Sequence, residues 1–349
     1  MKNSVYSILL LCVVFLIFSC ENRSQNSIKI GVVLPLTGNL SALGESAKTG
    51  LILAEEYINS NTYNNTKVQF IYEDGQGNPT KSINALNKLI MYDKTNIIFS
   101  IISSVDLSIV PIQKDKKFLM FSHSSHPHLS NVDPLLYRHS QTVEQEIDII
   151  MHRIDTASFA ICYMLDDYGV AFNDLLQNST IKHQIKSSIS FLPNESNFTT
   201  IVKKVIDSSP EKIVICAGGT NISNLITKLK EQNYQGEIIT TLAFSVSGAN
   251  KIIKDVPNVT MVDFKKLELD PEFAKFISDF EKKHNKIIGT SELMFFNSAW
   301  LVYNNSNIAS TPISISNEIS KSDSVNILGN KIIIKKTNDI LPELMLNEQ

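Results

Sequence analysis

Short apolar runs alternate with longer stretches of helical periodicity from Ser27 onward. The first unit has the predicted strands Ile28–Leu34, Lys67–Tyr72, Ile97–Ile102 and Phe118–Phe121, separated by the predicted helices Ser46–Ser60, Pro79–Tyr92 and Leu107–Lys114. Nearly continuous hydrophobic strands between helices indicate a parallel sheet that is covered on both faces.

A second unit with the same order of elements begins near Glu144. Its predicted helices are Glu144–Ile154, Val170–Leu176, Phe198–Ser208 and Ile222–Asn233, and its predicted strands are Ala157–Tyr163, Ser187–Phe191, Lys212–Ala217 and Glu237–Leu242. Two further helices, Pro271–His284 and Ser291–Asn304, and a last strand, Asn330–Lys335, follow. No Gly/Ser-rich linker separates the units, which favours two lobes joined by crossing segments with a cleft between them. We expect an N-terminal lobe of residues 28–142 plus 267–322 and a C-terminal lobe of residues 143–266 plus 323–349.

The N-terminus is typical of a bacterial lipoprotein precursor. Lys2 precedes an apolar run over Val5–Phe18, which is short for a membrane span but suits a signal peptide. Ser19 directly before Cys20 is a lipoprotein-type cleavage pattern. Residues 1–19 are therefore predicted to be a signal peptide, Cys20 the lipidated residue, and residues 20–27 a tether. An ordinary signal peptide followed by a chance cysteine is the alternative.

Composition limits the function classes further. The 349 residues are 43% hydrophobic and 19% charged, with a formal net charge of −3, which indicates a globular protein and gives no basic surface for nucleic acid. Cys162 and Cys216 lie in apolar runs, so they are predicted to be buried thiols, with a disulfide as the alternative.

Several short motifs, in a fixed order, carry a family resemblance. They are Ile28-Lys-Ile-Gly-Val-Val-Leu-Pro-Leu-Thr-Gly and its continuation to Glu56, Tyr72-Glu-Asp-Gly, Asn78-Pro-Thr-Lys, Ile98 to Ser104, Phe118 to Ser125, Asp167-Tyr-Gly, Asn197-Phe-Thr and Ile213 to Gly219. Together they resemble the Leu/Ile/Val-binding family of periplasmic proteins. The resemblance implies the type I periplasmic-binding fold, an α/β fold of two Rossmann-like lobes with parallel sheets, three crossovers and closure around a ligand.

The resemblance also implies ligand-binding residues. In the family, the carboxylate of an amino acid is held after the third strand, where Ser103 and Ser104 lie, and after the fourth, where Ser124 and His126 lie. Hydroxyls suit a carboxylate, although Ser103 and Ser104 could instead cap the next helix, a role that Asp106 could share.

Two further positions belong to the second lobe. Tyr168 matches a family tyrosine that contacts the ligand across the cleft, with simple packing as the alternative, and the loop after Ala217 offers Thr220. Two departures from the family pattern accompany these matches. Leu43 replaces an early aromatic residue, and the stretch from Leu242 to Phe244 lacks the carboxylate that would pair with a ligand ammonium. Because an unpaired buried ammonium is costly, this favours a less charged or acidic ligand, an amide, or no ligand.

Three histidines, His123, His126 and His128, lie close together in one short segment of the sequence. The histidines could form a metal site, His126 could contact an organic ligand, or they could be a surface cluster without a ligand. Their spacing is no zinc pattern, so we predict no metal and no cofactor.

A Gly-x-Ser-x-Gly elbow is absent, and Asp166-Asp167 share one loop, where acids are usually solvated or capping. We predict a protein that is not an enzyme.

The sequence thus predicts the substrate-binding lipoprotein of an ABC importer, a monomer on the periplasmic side of a bacterial envelope membrane. It would capture a small polar solute, amino-acid-like, amide or carboxylate, and deliver it to a transporter permease. The alternatives are a regulatory or scaffold lipoprotein with the same fold, similar to activators of cell-wall synthases, and a sensor subunit.

Overall fold

A computed structural model describes residues 27–61, 66–249, 253 and 258–348. The predicted signal peptide, Cys20 and nearly all of the tether lie outside these residues. The elements up to the second lobe are β1 (Ser27–Leu34), α1 (Ser41–Ser60), β2 (Lys67–Asp74), α2 (Pro79–Met91), β3 (Ile97–Ile101), α3 (Ser103–Lys116), β4 (Leu119–His123) and β5 (Leu136–His139).

The second unit follows without a linker. Its elements are α4 (Val143–Ile154), β6 (Phe159–Met164), α5 (Asp167–Gln177), β7 (Ile185–Phe191), α6 (Thr199–Asp207), β8 (Lys212–Cys216), α7 (Gly219–Glu231), β9 (Glu237–Thr240), α8 (Ala243–Val246) and β10 (Val259–Phe264). The chain ends with α9 (Pro271–His284), α10 (Thr290–Asn304), α11 (Pro312–Ile319), β11 (Ser324–Ile327), β12 (Asn330–Ile334), β13 (Asp339–Leu341) and β14 (Leu344–Glu348). Among the described helices, none has both the length and the apolar composition needed to cross a bilayer.

Two sheets form the two lobes. The first has eight strands in the order β11-β12-β13-β5-β4-β3-β1-β2, and the second has six in the order β14-β10-β9-β8-β6-β7. Strands β1 to β5 run parallel, as do β6 to β10, while the hairpin strands β11 and β12 and the last strand, β14, add antiparallel edges. Every residue of β3 and β4 is buried, as expected for strands covered by helices on both faces. The predicted α/β fold of two lobes is confirmed.

The chain crosses between the sheets three times in the described residues. It crosses after β5, again after β10, and finally between β13 and β14. These three segments connect the two lobes, and connections of this kind are where hinge rotations take place in two-lobed proteins.

The end of the chain differs from its predicted assignment to the C-terminal lobe. Strands β11, β12 and β13 belong to the eight-stranded sheet, and only β14 joins the six-stranded sheet. The physical reason is an ion pair between two buried side chains, in which Arg138 Nε on β5 donates to Asp339 Oδ1 on β13 at 2.7 Å. Asp339 also accepts hydrogen bonds from the hydroxyls of Ser130 and Thr337, which help to compensate the buried carboxylate for its lost contact with water.

Helices α1 and α10 touch backbone to backbone beside the cleft. A Cβ atom added at Gly50 would lie 2.0 Å from the carbonyl oxygen of Glu292, so only glycine permits this approach. The side chain of Ser46 donates to Glu292 Oε1 at 2.6 Å, which fixes the register of the two helices.

The second lobe contains two free cysteines and an unusual buried acid. Cys162 and Cys216 are buried free thiols on neighbouring strands, as the sequence predicts.

Glu146 on α4, just after the first crossing, is fully buried and accepts a hydrogen bond from the backbone N–H of Leu242 at 2.8 Å. Burial raises the pKa of Glu146 to about 7, although hydrogen bonds to its carboxylate partly oppose the shift.

We expect Asp339→Ala to destabilise the protein strongly, because it leaves the Arg138 guanidinium buried without its partner. The loss should be about 3–5 kcal/mol in urea unfolding. The control is Glu343→Ala, which breaks the ion pair between Glu343 and Lys265, both largely exposed, and should change stability little. Equal losses in the two variants would contradict the structural role of the buried pair.

We expect Glu146→Gln to remove part of the pH dependence of stability. Because the pKa of Glu146 rises from 4.5 to about 7 on folding, the folded state holds more protons in that interval and loses stability as pH increases. The free energy of unfolding of the Gln variant, relative to that of the wild type, should therefore increase by up to about 3 kcal/mol from pH 4.5 to pH 7. Urea titrations at both pH values measure this difference, and parallel pH slopes for the two proteins would refute it.

Candidate functional site

A cavity of about 140 Å³ lies between the lobes at the carboxyl ends of the parallel strands. This is where open α/β sheets bind their ligands. Its walls come from both lobes and from α10, and include Leu40, Leu43, Ile102, Ser103, His123, Ser124, Ser140, Gln141, Met164, Asp166, Tyr168, Gly218, Ala243, Val246, Phe264, Met294 and Phe295. The lining is mainly apolar, with a few hydroxyl groups and one charged side chain, Asp166.

The N-terminus of α3 forms part of the cavity wall. Ile102, the residue before the helix, has φ +86°, a backbone conformation that costs a β-branched residue about 1–3 kcal/mol. It turns the chain so that Ser103 becomes the first helical residue and lines the cavity. No side chain caps this helix, and within the described residues the Ser103 hydroxyl has no hydrogen-bond partner. Ser103 and Ser104 are therefore not helix caps, and the first-turn N–H groups remain available.

A serine and aspartate cluster lies behind the same wall. Asp106 on α3 is fully buried, and its Oδ2 accepts hydrogen bonds from Ser122 and Ser124, each at 2.5 Å. Burial raises the pKa of Asp106 to about 6, while the hydrogen bonds from Ser122 and Ser124 partly offset that shift. Of the two serines on Oδ2, only Ser124 lines the cavity.

The second lobe contributes Tyr168 at the start of α5. Its hydroxyl donates to Glu146 Oε1 at 2.9 Å and lies 3.1 Å from Oε2, so it is held inside the lobe while its ring lines the cavity. A ligand would meet the face or edge of this ring.

Asp166 caps α5 and also lines the cavity. Its Oδ1 accepts a hydrogen bond from the N–H of Gly169 at 2.7 Å, and burial, together with the charge of Asp167, raises its pKa to about 6. The sequence indicated only a capping or solvated acid here, because nothing in a pair of adjacent acids reveals which one faces a cleft.

The histidine segment has a packing role. His123 is buried and stacks on Phe295 with ring centroids 3.9 Å apart, and its Nε2 lies 2.9 Å from the hydroxyl of Ser298. Burial holds the pKa of His123 well below its ordinary value, so the ring is neutral. Across the part of the chain that the structure describes, no group of three or more His, Cys, Asp or Glu residues could hold a metal ion.

Three predicted binding residues lie away from the cavity lining. His126 accepts a hydrogen bond from the backbone N–H of His128 at Nδ1, Ser104 is the second residue of α3, and Thr220 is exposed on α7. The loop before α7 contributes Gly218 in place of Thr220, and a Cβ added at Gly219 would lie 3.4 Å from the carbonyl oxygen of Asn39 in the other lobe. The lobes thus approach closely across this end of the cleft.

Known proteins share this architecture. The branched-chain amino acid transporter substrate-binding protein LivJ from Streptococcus pneumoniae, solved with isoleucine, has a TM-score of 0.81 at 14% identity, covering 93% of this chain and 96% of that one. A solute-binding protein of an ABC transporter from Rhodopseudomonas palustris, solved with 3,4-dihydroxybenzoic acid, has a TM-score of 0.79 at 15% identity, covering 92% and 93%. These likenesses show the fold.

Sequence comparison identifies the family. The Leu/Ile/Val-binding protein homolog 3 of Brucella melitensis is 24% identical over 201 residues, which are 55% of this chain and 54% of that protein. The chain thus matches about half the length of this curated relative. A family model described as periplasmic binding protein matches residues 27–303, most of the chain. The chain therefore belongs to the periplasmic binding protein family, and this curated relative is a Leu/Ile/Val-binding protein homolog.

Proposed function

We propose that this protein is the substrate-binding lipoprotein of an ABC importer and captures a small carboxylate with a compact apolar body. The observation that carries the proposal is the uncapped N-terminus of α3, with the unpaired hydroxyl of Ser103, in the wall of an interlobe cavity.

The N-terminus of α3 suits the carboxylate end of a ligand. Free first-turn N–H groups and the positive end of the helix dipole attract an anion, and a serine hydroxyl adds a directed hydrogen bond. Hydrogen bonds to a carboxylate are stronger than neutral ones, so a few suffice to fix its orientation.

The remainder of the cavity suits an apolar body of limited size. Leu43, Ile102, Val246 and Met294 supply aliphatic and thioether contacts, and Tyr168 offers its ring. The volume of about 140 Å³ is well below the roughly 300–1,000 Å³ of pockets that hold drug-sized ligands. Isoleucine and 3,4-dihydroxybenzoic acid, found in the two similar structures, are both small carboxylates.

Hinge closure and delivery to a permease complete the proposal. The three crossings permit rotation of the lobes, and a ligand that contacts Ser103 on one lobe and Tyr168 on the other would stabilise the closed form. The protein would act as a monomer outside the cytoplasmic membrane, without catalysis.

Ser103→Ala is expected to weaken ligand binding. The starting measurement is isothermal titration of the wild type against amino acids, 2-hydroxy acids, aliphatic acids, aromatic acids and amides. Loss of one hydrogen bond to the carboxylate should raise Kd by about 10- to 100-fold for the ligand that binds best.

Thr220→Ala is the matched control, because it deletes a hydroxyl that is exposed and outside the cavity. It should bind like the wild type. If no member of the panel binds or raises the Tm of the wild type, capture of a small carboxylate is refuted, since any ligand of the native state stabilises it.

We also propose that Cys20 carries the lipid anchor. In a bacterial host, the full-length chain should incorporate radiolabelled palmitate, and Cys20→Ser should abolish the label. Cys12→Ser is the control and should keep it, because Cys12 lies within the predicted signal peptide. A Cys20→Ser variant that is still labelled, or a wild type that is not, would argue against the anchor.

A further inference from the structure

The position of two hydroxyl hydrogens can be deduced around Asp106. An ionised carboxylate only accepts hydrogen bonds, and Ser122 and Ser124 both lie 2.5 Å from the same oxygen, Oδ2. Each serine must therefore direct its single hydroxyl hydrogen at Asp106. Ser124 is then left with lone pairs only, and these are what it can offer to the cavity that it lines.

The surroundings of Asp106 favour its ionised form at neutral pH. It lies in the first turn of α3, where the helix dipole stabilises a negative charge, and its pKa of about 6 is below neutrality despite burial. Its Oδ2 accepts hydrogen bonds from the hydroxyls of Ser122 and Ser124. The negative charge behind Ser124 strengthens this hydroxyl oxygen as an acceptor and repels any ligand acceptor that approaches it from the cavity.

We propose that Asp106 is a positioning residue for specificity: it holds Ser124 as a hydrogen-bond acceptor and thereby selects carboxylates that carry an N–H or O–H donor beside the carboxylate. This inference rests on the proposed function. The carboxylate binds at Ser103 and the amides of α3, and the donor points to Ser124. Asp106 does not touch the ligand, since it is fully buried and absent from the cavity wall.

This arrangement provides a partner for the donor end of the ligand from the first lobe. The part of the second-lobe wall formed by Ala243 and Val246 is apolar. An α-amino or α-hydroxy group can therefore be accepted at Ser124 without a carboxylate from Leu242 to Phe244. Asp166 faces the same cavity and favours a donor as well.

The test compares ligands that differ only in the donor. Kd is measured at pH 7.5 for leucine, 2-hydroxy-4-methylpentanoate and 4-methylpentanoate, and for mandelate and phenylacetate, which cover an aliphatic and an aromatic body. The wild type should prefer the hydroxy acid to its unsubstituted partner by about tenfold or more, the worth of one hydrogen bond.

Asp106→Asn should reduce that preference to about twofold or less. The amide can donate to a serine oxygen, which frees the Ser124 hydrogen to turn toward the cavity. Ser124→Ala should abolish the preference too, and Asp106→Asn should have no further effect on the preference in the Ser124→Ala background. Ser122→Ala is the matched control: Ser122 donates to the same oxygen at the same distance but does not line the cavity, so the preference should survive.

The outcomes separate this inference from the proposed function. If no carboxylate binds the wild type, the proposed function fails. If carboxylates bind but the wild type shows no preference for a donor, or Asp106→Asn keeps the preference that Ser124→Ala loses, the role of Asp106 is overturned. Should Asp106→Asn not fold, retention of the preference by Ser124→Ala would still overturn it, because the contact would not be at Ser124.

Discussion

A carboxylate shielded from water needs hydrogen-bond donors inside the protein. Three carboxylates beside the cleft, two fully buried and one half-buried, have no cationic partner among the described residues. Asp106 is held by serine hydroxyls, Glu146 by a backbone N–H and the hydroxyl of Tyr168, and Asp166 by the N–H of Gly169. Each of these contacts also fixes a cavity element: Ser124, the ring of Tyr168, and the start of α5. The ligand site thus depends on how the protein stabilises its own buried acids.

The fold was largely predictable from the sequence because buried parallel strands are continuous apolar runs. Two of the exceptions have a common physical cause. Strand β5 contains Arg138 and His139, polar residues that are more typical of a loop than of a buried strand. The partner that allows Arg138 to be buried, Asp339, lies 201 positions away in the sequence. The same long-range pair brings β13 to the first lobe, although residues 323–349 were expected in the second. Strand β10 was also not predicted, and its apolar residues are buried in the second sheet.

The candidate site was predictable in part. Ser103, Ser124 and Tyr168, which the family resemblance implies as ligand contacts, line the cavity, whereas Asp106 was considered only as a helix cap and Asp166 only as a solvated or capping acid. Residue type and spacing indicate which loops reach a sheet edge, but they do not reveal which polar side chain is turned inward. Burial decides the pKa of these acids, and burial is a property of the whole packing arrangement.

The last crossing, between β13 and β14, contains only Pro342 and Glu343. An extended chain covers at most about 3.3–3.6 Å per residue, so a link of this length can span only a short distance. The two sheets are consequently held at a nearly constant distance at their base. Any opening would then be a rotation about the crossings, and it would separate Asn39 from Gly219, where the two lobes approach each other. The surface around Asn39 and Gly219 would therefore differ between an open and a closed form of the protein.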